Sequence, residues 1–204
     1  MNKSKKAVKY SNIVKKYDDQ VTRFAFENYK NKKDFGEDAR LAFERHLKDL
    51  VRSEKNDKSF SYQYSAEKAN DIIEFANKLT IAEGDGSEHF TCAGFQAFCI
   101  GNLFGWISKD TGKRRFTDSY IQIARQQGKS VLNAILGLYC CNFDNYNYGQ
   151  IYCTATKQDQ AKIVLNEIEK FINSDPDLEE LFECKDYKSE VTGKITKSTI
   201  KALG

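Results

Sequence analysis

The feature that most constrains the fold is a stretch that predicts a strand, a tight loop and a helix in immediate succession. Ser119–Ile123 is apolar, β-branched and aromatic, which predicts a buried strand. The tripeptide Gly-Lys-Ser follows at positions 128–130, and residues 131–138 have the composition of a buried helix. A Gly-Lys-Ser tripeptide between a strand and a helix is the setting of a phosphate-binding P-loop.

Each residue type in this loop suits phosphate binding. Gly128 lets the backbone approach an anion closely, and the first free N–H groups of the following helix point towards that anion. Lys129 adds a mobile positive charge, and the Ser130 hydroxyl can hold a magnesium ion. The full pattern is Gly, any four residues, then Gly-Lys-Ser/Thr, and Ile123 replaces its first glycine. The motif alone therefore predicts a degenerate P-loop.

Composition sets broader limits. The chain has 204 residues, 40% of them hydrophobic, which is enough for one sizeable domain and a small helical appendage. The net charge of +3 is mild, although basic clusters occur at Lys3–Lys16 and at Lys113-Arg114-Arg115. No apolar run approaches the roughly 20 residues that span a bilayer, and the lysine-rich start lacks a signal-peptide core. We therefore expect a soluble protein, with solvated lysines and arginines at 113–115 as the simplest interpretation of that cluster.

Cysteine usage argues against a zinc site. The six cysteines show no Cys-x-x-Cys spacing, and the two histidines lie far apart in the sequence. Most of these cysteines fall in apolar segments, as expected of small buried residues in a reducing compartment. We assign no catalytic thiol.

The beginning of the chain, as far as about Val51, predicts polar helices with single apolar stripes. We expect the charged residues Arg45, His46, Lys48 and Asp49 to form a solvated face. The stripe residues are Ile13, Val14, Tyr17, Val21, Phe24 and Ala25, and then Ala39, Phe43, Leu47, Leu50 and Val51.

The next part of the chain predicts a linker and two further helices. Residues 54–64 lose periodicity, which indicates a linker or an extended arm. A helix capped by Ser65 continues to Leu79, and Gly84–Ser87 then interrupts the chain. Phe90–Trp106 predicts a helix with aromatic residues on its core face.

The end of the chain alternates strands and helices, which favours a parallel sheet. Its predicted elements are a buried strand at Gln150–Thr156, a helix through Ala161–Ile172, a helix with Asp175 as cap and Pro176 at its first position, and two short strands at Val191–Ile195 and Ser198–Leu203 that turn near Gly193.

Gln96 lies near the start of the aromatic helix. Without the context of a P-loop, Gln96 would be expected to be a solvent-exposed amide. Placed ahead of a P-loop, it resembles the adenine-reading glutamine of helicase-like ATPases, where one amide both donates to and accepts from the adenine edge. We expect Phe95, Phe104 and Trp106 to belong to the core rather than to an adenine-stacking platform.

Four stretches together resemble the large terminase subunit of tailed bacteriophages, the ATP-driven motor that packages DNA into capsids. Terminases characteristically carry an arginine-containing, glycine-poor P-loop, which accounts for Ile123. The four stretches are Ala42–Leu50, then Phe95-Gln96 with Leu103–Trp106, then Thr111–Phe116 leading into Ala124–Ser130, and lastly Thr154–Thr156 followed by Asp159–Ala161.

The resemblance implies ATP and magnesium as cofactors and a role for each site residue. Lys129 would contact the β- and γ-phosphates, Gly128 and its neighbours would supply backbone N–H groups, and Ser130 would ligate magnesium. Arg125 resembles the arginine that approaches the γ-phosphate and stabilises charge in the transition state, so Arg125 and Lys129 are the implied catalytic residues. The implied ATP-binding residues are Gln96, Arg125, Gln126, Gln127, Gly128, Lys129 and Ser130.

The sequence also departs from the family pattern. A terminase continues with a hydrophobic strand that ends in acidic residues, which hold magnesium and activate water, and then with a nuclease domain. Neither is found in this sequence, so we expect the N-terminal part of a larger protein: a cut fragment, a split gene or a truncated prophage copy. Such a fragment should bind nucleotide weakly, hydrolyse it poorly or not at all, and expose a sheet edge.

We therefore predict an α/β fold: a partial P-loop NTPase parallel sheet flanked by helices at residues 87–204, after a helical region at 1–86. The implied activity is the ATPase part of a terminase, coupled to translocation of double-stranded DNA in the cytoplasm of an infected or lysogenic bacterium. The implied partners are a small terminase subunit, a capsid portal, double-stranded DNA and further copies of the chain, without a membrane. The alternatives are a helicase-like translocase and a non-catalytic remnant that only binds a partner.

Overall fold

A computed structural model describes residues 3–55, 57–83, 86–185 and 188–204. It divides into two units, which are taken separately below. The first consists of residues up to Glu74 together with Cys92–Tyr120, and the second of Phe75–Thr91 together with Ile121–Gly204. The predicted boundary between residues 86 and 87 stays a prediction.

The first unit is mainly helical, as its apolar stripes predicted. Helix α4 starts in this unit, and Ser65 caps it by accepting a hydrogen bond from the Lys68 N–H at 3.2 Å. Strands β1 and β4 pair antiparallel, so the predicted extended arm is in part a strand. The elements are α1 (Lys3–Tyr17), α2 (Gln20–Asn28), α3 (Glu37–Glu54), β1 (Tyr62–Tyr64), α4 (Ala66–Lys78), α5 (Gly94–Gly105) and β4 (Trp106–Ser108).

Close packing of α5 against α2 depends on a glycine. A Cβ placed on Gly101 would lie only 2.5 Å from the Val21 side chain, so a larger residue requires that side chain or the helix to shift. Trp106 and Phe104 are buried, which confirms that these two aromatics belong to the core. Full burial of such side chains contributes about 2–3 kcal/mol each.

The expected solvated face on α3 is wrong for His46 and Asp49, which are both buried. The Trp106 indole N–H donates to His46 Nδ1 at 3.0 Å, and His46 Nε2 lies 3.0 Å from the Thr22 hydroxyl. An indole nitrogen can only donate, so Nδ1 is the acceptor and neutral His46 carries its proton on Nε2. The charge pattern of the sequence did not predict the burial of His46 and Asp49, because the residues that bind their side chains belong to other elements.

Asp19 completes this buried network. Its carboxylate accepts from the Thr22 hydroxyl at 2.6 Å, from the Tyr64 hydroxyl at 3.0 Å, and from the N–H groups of Val21 and Thr22 at 3.0 Å each. Burial, the dominant cause, lowers the pKa of His46 to about 3, and the nearby positive charges of Arg45 and Arg115 add to the shift. The network therefore contains a neutral histidine and a fully hydrogen-bonded aspartate.

Arg115 also departs from the expected solvated state. Its guanidinium donates to the Asp49 carboxylate at 2.7 Å and lies about 5 Å from the ring centres of Phe60, Tyr62 and Trp106. Such a planar cation both stacks on aromatic rings and pairs with a carboxylate.

The second unit contains the hairpin β2 (Thr80–Glu83) and β3 (Gly86–His89), helices α6 (Lys129–Asn142), α7 (Gln158–Asn173) and α8 (Pro176–Leu181), and strands β5 (Gln150–Thr154), β6 (Phe182–Lys185), β7 (Glu190–Gly193) and β8 (Thr199–Leu203). The predicted interruption at Gly84–Ser87 falls partly on this hairpin, since Gly86 and Ser87 are strand residues, while positions 84 and 85 lie outside the described residues. Asp175 caps α8, with its carboxylate accepting from the Asp177 N–H at 3.0 Å, as predicted.

The sheet is mixed, which corrects the predicted parallel sheet. Its order is β5-β8-β7-β6, and only β5 and β8 run parallel, whereas β8–β7 and β7–β6 are antiparallel. The physical reason is connection length: β7 and β8 are joined by a short turn, and a parallel pair needs a long crossover such as the one through α7 and α8. β5 is a half-exposed edge strand rather than a buried one.

The predicted strand at Ser119–Ile123 is wrong. This segment is irregular, Tyr120 is 87% exposed, and among the described residues no strand pairs with it. A β-rich composition is not sufficient, because a strand is stable only when a neighbouring strand satisfies its backbone groups.

Candidate nucleotide site

The candidate site is the loop that leads into α6. Gly128 is the residue before this helix and has the left-handed values φ 72° and ψ 25°, which a residue with a side chain adopts only at a cost. No side chain caps the helix, so its first N–H groups are left for another acceptor. The helix forms here because Leu132, Ile135 and Leu138 are buried on one face at helical spacing.

A second left-handed residue lies two positions earlier. Gln126 has φ 62°, so positions 126 and 128 both have positive φ while Gln127 between them does not. Alternation of this kind turns successive backbone N–H groups towards one point and makes an anion-binding concavity called a nest. The loop therefore has a backbone shape that suits a phosphate, although its first glycine is missing.

Charged side chains of the loop point into solvent. Arg125 and Lys129 are exposed, and within the described part of the chain neither takes part in an ion pair. Ser130 is half-buried at the second position of α6. The structure thus brings the predicted residues from Arg125 to Ser130 together in one short turn.

The direction of α6 places this turn at a particular edge of the sheet. Thr196, just before β8, donates its hydroxyl to the Cys141 carbonyl at 2.6 Å, so the C-terminal end of α6 lies beside the start of β8. The helix therefore runs antiparallel to β8, and its N-terminal end lies towards the edge where β5 and β8 end at Thr154 and Leu203. Ligands of α/β folds bind outside the carboxyl ends of parallel strands.

Gln96 belongs to the first unit, and the surface interpretation of this residue is wrong. Its side chain is only 6% exposed, and its carbonyl oxygen accepts a hydrogen bond from the Ala93 N–H at 2.9 Å. The amide therefore holds the first turn of α5, as a glutamine three residues after an N-cap often does. Its role in reading adenine stays a prediction.

Two features, a metal-binding cluster and a membrane-spanning helix, are not found in the described part of the chain. Among the residues that the structure describes, no group of three histidine, cysteine or acidic side chains is placed to hold a metal ion. None of the described helices is both long and apolar enough to cross a bilayer.

Comparison with known families identifies the class of protein. The family model for the terminase large subunit, ATPase domain, matches residues 94–204, which is more than half of the chain. The chain therefore belongs to the family of terminase large subunit ATPase domains. This membership decides between the two motor classes that the P-loop allowed, and it favours a terminase over a helicase.

A solved structure supports the same fold. The large terminase of bacteriophage HK97 aligns over 67% of this chain with a TM-score of 0.58 and 24% sequence identity. The matched region is 27% of that protein, so this chain corresponds to a minor part of its length. No curated protein sequence matches the chain.

Proposed function

We propose that this chain binds magnesium-ATP at the turn formed by Arg125–Ser130 and provides the nucleotide-binding part of a phage DNA-packaging motor. The observation that carries this proposal is the loop backbone: left-handed residues at 126 and 128 precede a helix that has no side-chain cap. An uncapped helix start next to a nest attracts an anion, and a polyphosphate is the anion that a Gly-Lys-Ser sequence fits best.

Each side chain of the loop has a separate role in binding the phosphates. Lys129 contacts the β- and γ-phosphates as a mobile charge, while the N–H groups of Gln126, Gln127 and Gly128 enclose the phosphate chain. Arg125 faces the γ-phosphate and stabilises the negative charge that develops during transfer. Magnesium bound with the nucleotide neutralises phosphate charge, and Ser130 is the residue that would hold it.

Gln96 is proposed to read the adenine base. Its carbonyl oxygen already accepts the Ala93 N–H and has a second lone pair, so the proposal requires the base to meet that lone pair, the NH₂ group or both. Donation from the NH₂ group to a ring nitrogen of adenine would supply one of the two hydrogen bonds expected from a glutamine.

The activity of the whole motor is also part of the proposal. A protein of this family would couple ATP hydrolysis to translocation of double-stranded DNA into a capsid, and a nuclease domain would cut that DNA. Its partners would be a small terminase subunit, a capsid portal and further copies of the same subunit, in the cytoplasm of an infected or lysogenic bacterium.

Binding without efficient turnover is the expected behaviour of the 204-residue chain. Phosphoryl transfer needs a positioned water and metal-holding carboxylates in addition to the P-loop. The described residues hold no cluster of such groups, so we expect hydrolysis close to the background rate.

The test is calorimetric titration of the 204-residue chain with magnesium-ATP, accompanied by a hydrolysis assay. Lys129→Ala should weaken binding by at least about tenfold, since a charge-assisted contact to phosphate is lost. Lys197→Ala is the matched control, because Lys197 is also an exposed lysine of this unit and lies in the turn before β8, beside the opposite end of α6. Equal affinity of Lys129→Ala and the unmodified chain, both shown to be folded, would refute the site.

A further inference from the structure

One side of α3 faces solvent and carries both apolar and cationic side chains. Leu41, Arg45, Lys48 and Arg52, here called the α3 stripe, follow each other at intervals of four, three and four residues, which places them on one side of the helix. Leu41 is 53% exposed, and the side chain of Arg52 is 42% exposed. The α3 stripe is therefore an accessible helix face that combines apolar area with positive charge.

The aromatic ring of Phe116 flanks the α3 stripe at Arg45. The guanidinium carbon of Arg45 lies 4.9 Å from the centre of this ring, and that of Arg115 lies at the same distance. Phe116 is half-buried, so part of this residue remains accessible beside Arg45. Stacking on the ring restricts Arg45 before a partner arrives, which lowers the entropy lost when a partner binds.

Arg45 differs from the other cations of this surface in its ion pairing. In the described part of the chain, no carboxylate lies within ion-pair distance of Arg45, whereas each neighbouring cation has a carboxylate partner. These pairs are Arg115 with Asp49 at 2.7 Å, Arg52 with Asp57 at 3.1 Å, and Lys48 with Glu44 at 3.1 Å.

The surroundings of Arg45 also destabilise its charge. Partial burial, the largest cause, and the nearby charge of Arg115 lower the pKa of Arg45, and Asp49 offsets these two effects only in part. An arginine nevertheless stays protonated at neutral pH. A carboxylate from outside the chain would stabilise this cation, because it can accept two parallel N–H groups of the guanidinium.

We propose that the α3 stripe and Phe116 form the docking surface for an acidic amphipathic segment of another protein. A carboxylate of the partner pairs with Arg45, and an aliphatic or aromatic side chain of the partner packs on Leu41 and Phe116. Leu41 and Arg45 are one helical turn apart, so the two partner residues must lie about 6 Å from each other, as residues i and i+4 of a helix do. Arginine and aromatic side chains contribute much of the binding energy of protein interfaces, and a carboxylate is the charge that complements Arg45.

The charges of α3 disfavour a nucleic acid as the occupant of this surface. α3 has five acidic residues and four basic ones, so it does not present the continuous positive field that attracts a phosphate backbone. Within the described residues Arg45 is the one cation of the α3 stripe without a carboxylate partner, whereas binding to a nucleic acid rests on several phosphate contacts. Leu41 adds apolar area that suits a protein partner.

The α3 stripe belongs to the first unit and the P-loop to the second, so the two proposals can be tested separately. Arg45→Ala should leave ATP binding unchanged, and Lys129→Ala should leave binding at the α3 stripe unchanged. Failure of one proposal therefore does not imply failure of the other.

The experiment is selection of a random library of displayed peptides, each of about twelve residues or about three helical turns, on the immobilised 204-residue chain. Peptides that also bind Arg45→Ala are removed in each round. The remaining peptides should be enriched in an acidic residue three or four positions away from a leucine, isoleucine or phenylalanine. A fluorescently labelled copy of an enriched peptide should bind the chain with a dissociation constant of about 10 μM.

Variants of the α3 stripe test the separate contacts. Arg45→Ala should raise the dissociation constant of that peptide by about tenfold or more, and Leu41→Ser should raise it by about fivefold. Arg45→Glu should bind the same peptide with its acidic residue changed to lysine, within about tenfold of the original affinity. A purely structural role of Arg45 would not produce this exchange of charge preference. Circular dichroism of each variant would verify that it is folded.

Arg23→Ala is the matched control, because Arg23 is also an exposed arginine of the first unit and lies on another helix, α2. It should leave the dissociation constant unchanged. The proposal would be overturned if no peptide survives the removal step, if the surviving peptides lack an acidic residue, or if folded Arg45→Glu does not prefer the lysine peptide. A short DNA duplex that displaces the peptide and does not bind Arg45→Ala would also overturn it and assign the α3 stripe to nucleic acid.

Discussion

Two helices of this chain begin in opposite ways. At α2, the Asp19 carboxylate accepts the N–H groups of Val21 and Thr22 and is itself buried and held by Tyr64. At α6, Gly128 offers no side chain, and the first N–H groups remain open. Both helix starts attract negative charge. The Asp19 carboxylate satisfies the start of α2, whereas the N–H groups at the start of α6 are left for an external anion.

The comparison shows that the unpaired N–H groups of a helix start can be satisfied by a carboxylate of the same chain, which adds stability, or left open, which suits the binding of an anion. The closed start of α2 belongs to a network that includes Thr22, His46 and Trp106, in which the donors and acceptors are matched. Left-handed residues precede both starts, Asp18 at α2 and Gln126 at α6, so the two starts differ in the presence of a side-chain cap and not in backbone strain. We therefore expect substitutions at the two sites to act on different measured quantities.

The largest effect is expected from Asp19→Ala. This change removes the cap of α2 and leaves the Thr22 and Tyr64 hydroxyls without their buried acceptor, so the free energy of unfolding should fall by about 3 kcal/mol. Asp175→Ala is the matched change, since Asp175 caps the short helix α8 and, among the described residues, its carboxylate accepts only the Asp177 N–H. It should cost about 1 kcal/mol. If urea unfolding shows that Asp19→Ala and Asp175→Ala lower the free energy of unfolding equally, the hydrogen bonds of Asp19 to Thr22 and Tyr64 add nothing to its role as a helix cap.

A pH dependence should follow from His46. Burial lowers the pKa of His46 to about 3, whereas an unfolded histidine titrates near its usual value of 6.5. Between these values the unfolded state binds more protons, so stability is present above about pH 6.5 and is lost at about 1.4 kcal/mol per pH unit below it. His46→Gln should remove this slope between pH 6.5 and 4.5 in urea unfolding, and His89→Gln should keep it. An identical slope in all three proteins would contradict the buried neutral histidine.

A smaller loss of stability is expected at Arg115. Arg115→Ala removes the ion pair with Asp49 and the contacts with three aromatic rings, and should cost about 2 kcal/mol. Arg125→Ala, at the exposed loop arginine, should change thermal stability by less than about 0.5 kcal/mol and instead weaken ATP binding. Calorimetric melting and ATP titration of both variants would separate the two roles, and a destabilised Arg125→Ala would show that this arginine is structural.

The smallest effect concerns the backbone of the P-loop. Gln126→Gly removes the cost of a left-handed side chain, so ATP binding should be kept or slightly strengthened. Gln126→Val places a β-branched residue at φ 62° and should weaken ATP binding by about tenfold, through the loop alone. If both variants bind ATP equally well, the loop does not need its left-handed residue.

Local patterns predicted much of the fold. Apolar spacing was sufficient for α6 and α7, and the pair Asp175-Pro176 located the start of α8, because caps and amphipathic faces act within a few residues. The strand predicted at Ser119–Ile123 and the parallel sheet were wrong, and β6 was missed. These depend on which strands lie next to each other, and that is decided by distant parts of the chain.

The residues of the candidate site and of the buried network show the same division. Gly128, Lys129 and Ser130 could be proposed as phosphate-binding residues from the sequence, since a P-loop is a contiguous motif. The burial of His46 and Asp49 could not, because their partners Trp106 and Arg115 lie more than fifty residues away. Gln96 is an intermediate case. The sequence predicted its position near the start of a helix, but its hydrogen bond with the Ala93 N–H is visible only in the structure.

The most direct test of the central claim is amide hydrogen exchange followed by mass spectrometry, with and without magnesium-ATP. Peptides that cover residues 126–132 should gain protection with nucleotide, because the open N–H groups of α6 acquire an acceptor, while residues 19–23 should not change. The gain should disappear in Lys129→Ala. Unchanged exchange at 126–132 under saturating nucleotide, or the same gain in Lys129→Ala, would contradict the claim that the start of α6 is the phosphate site.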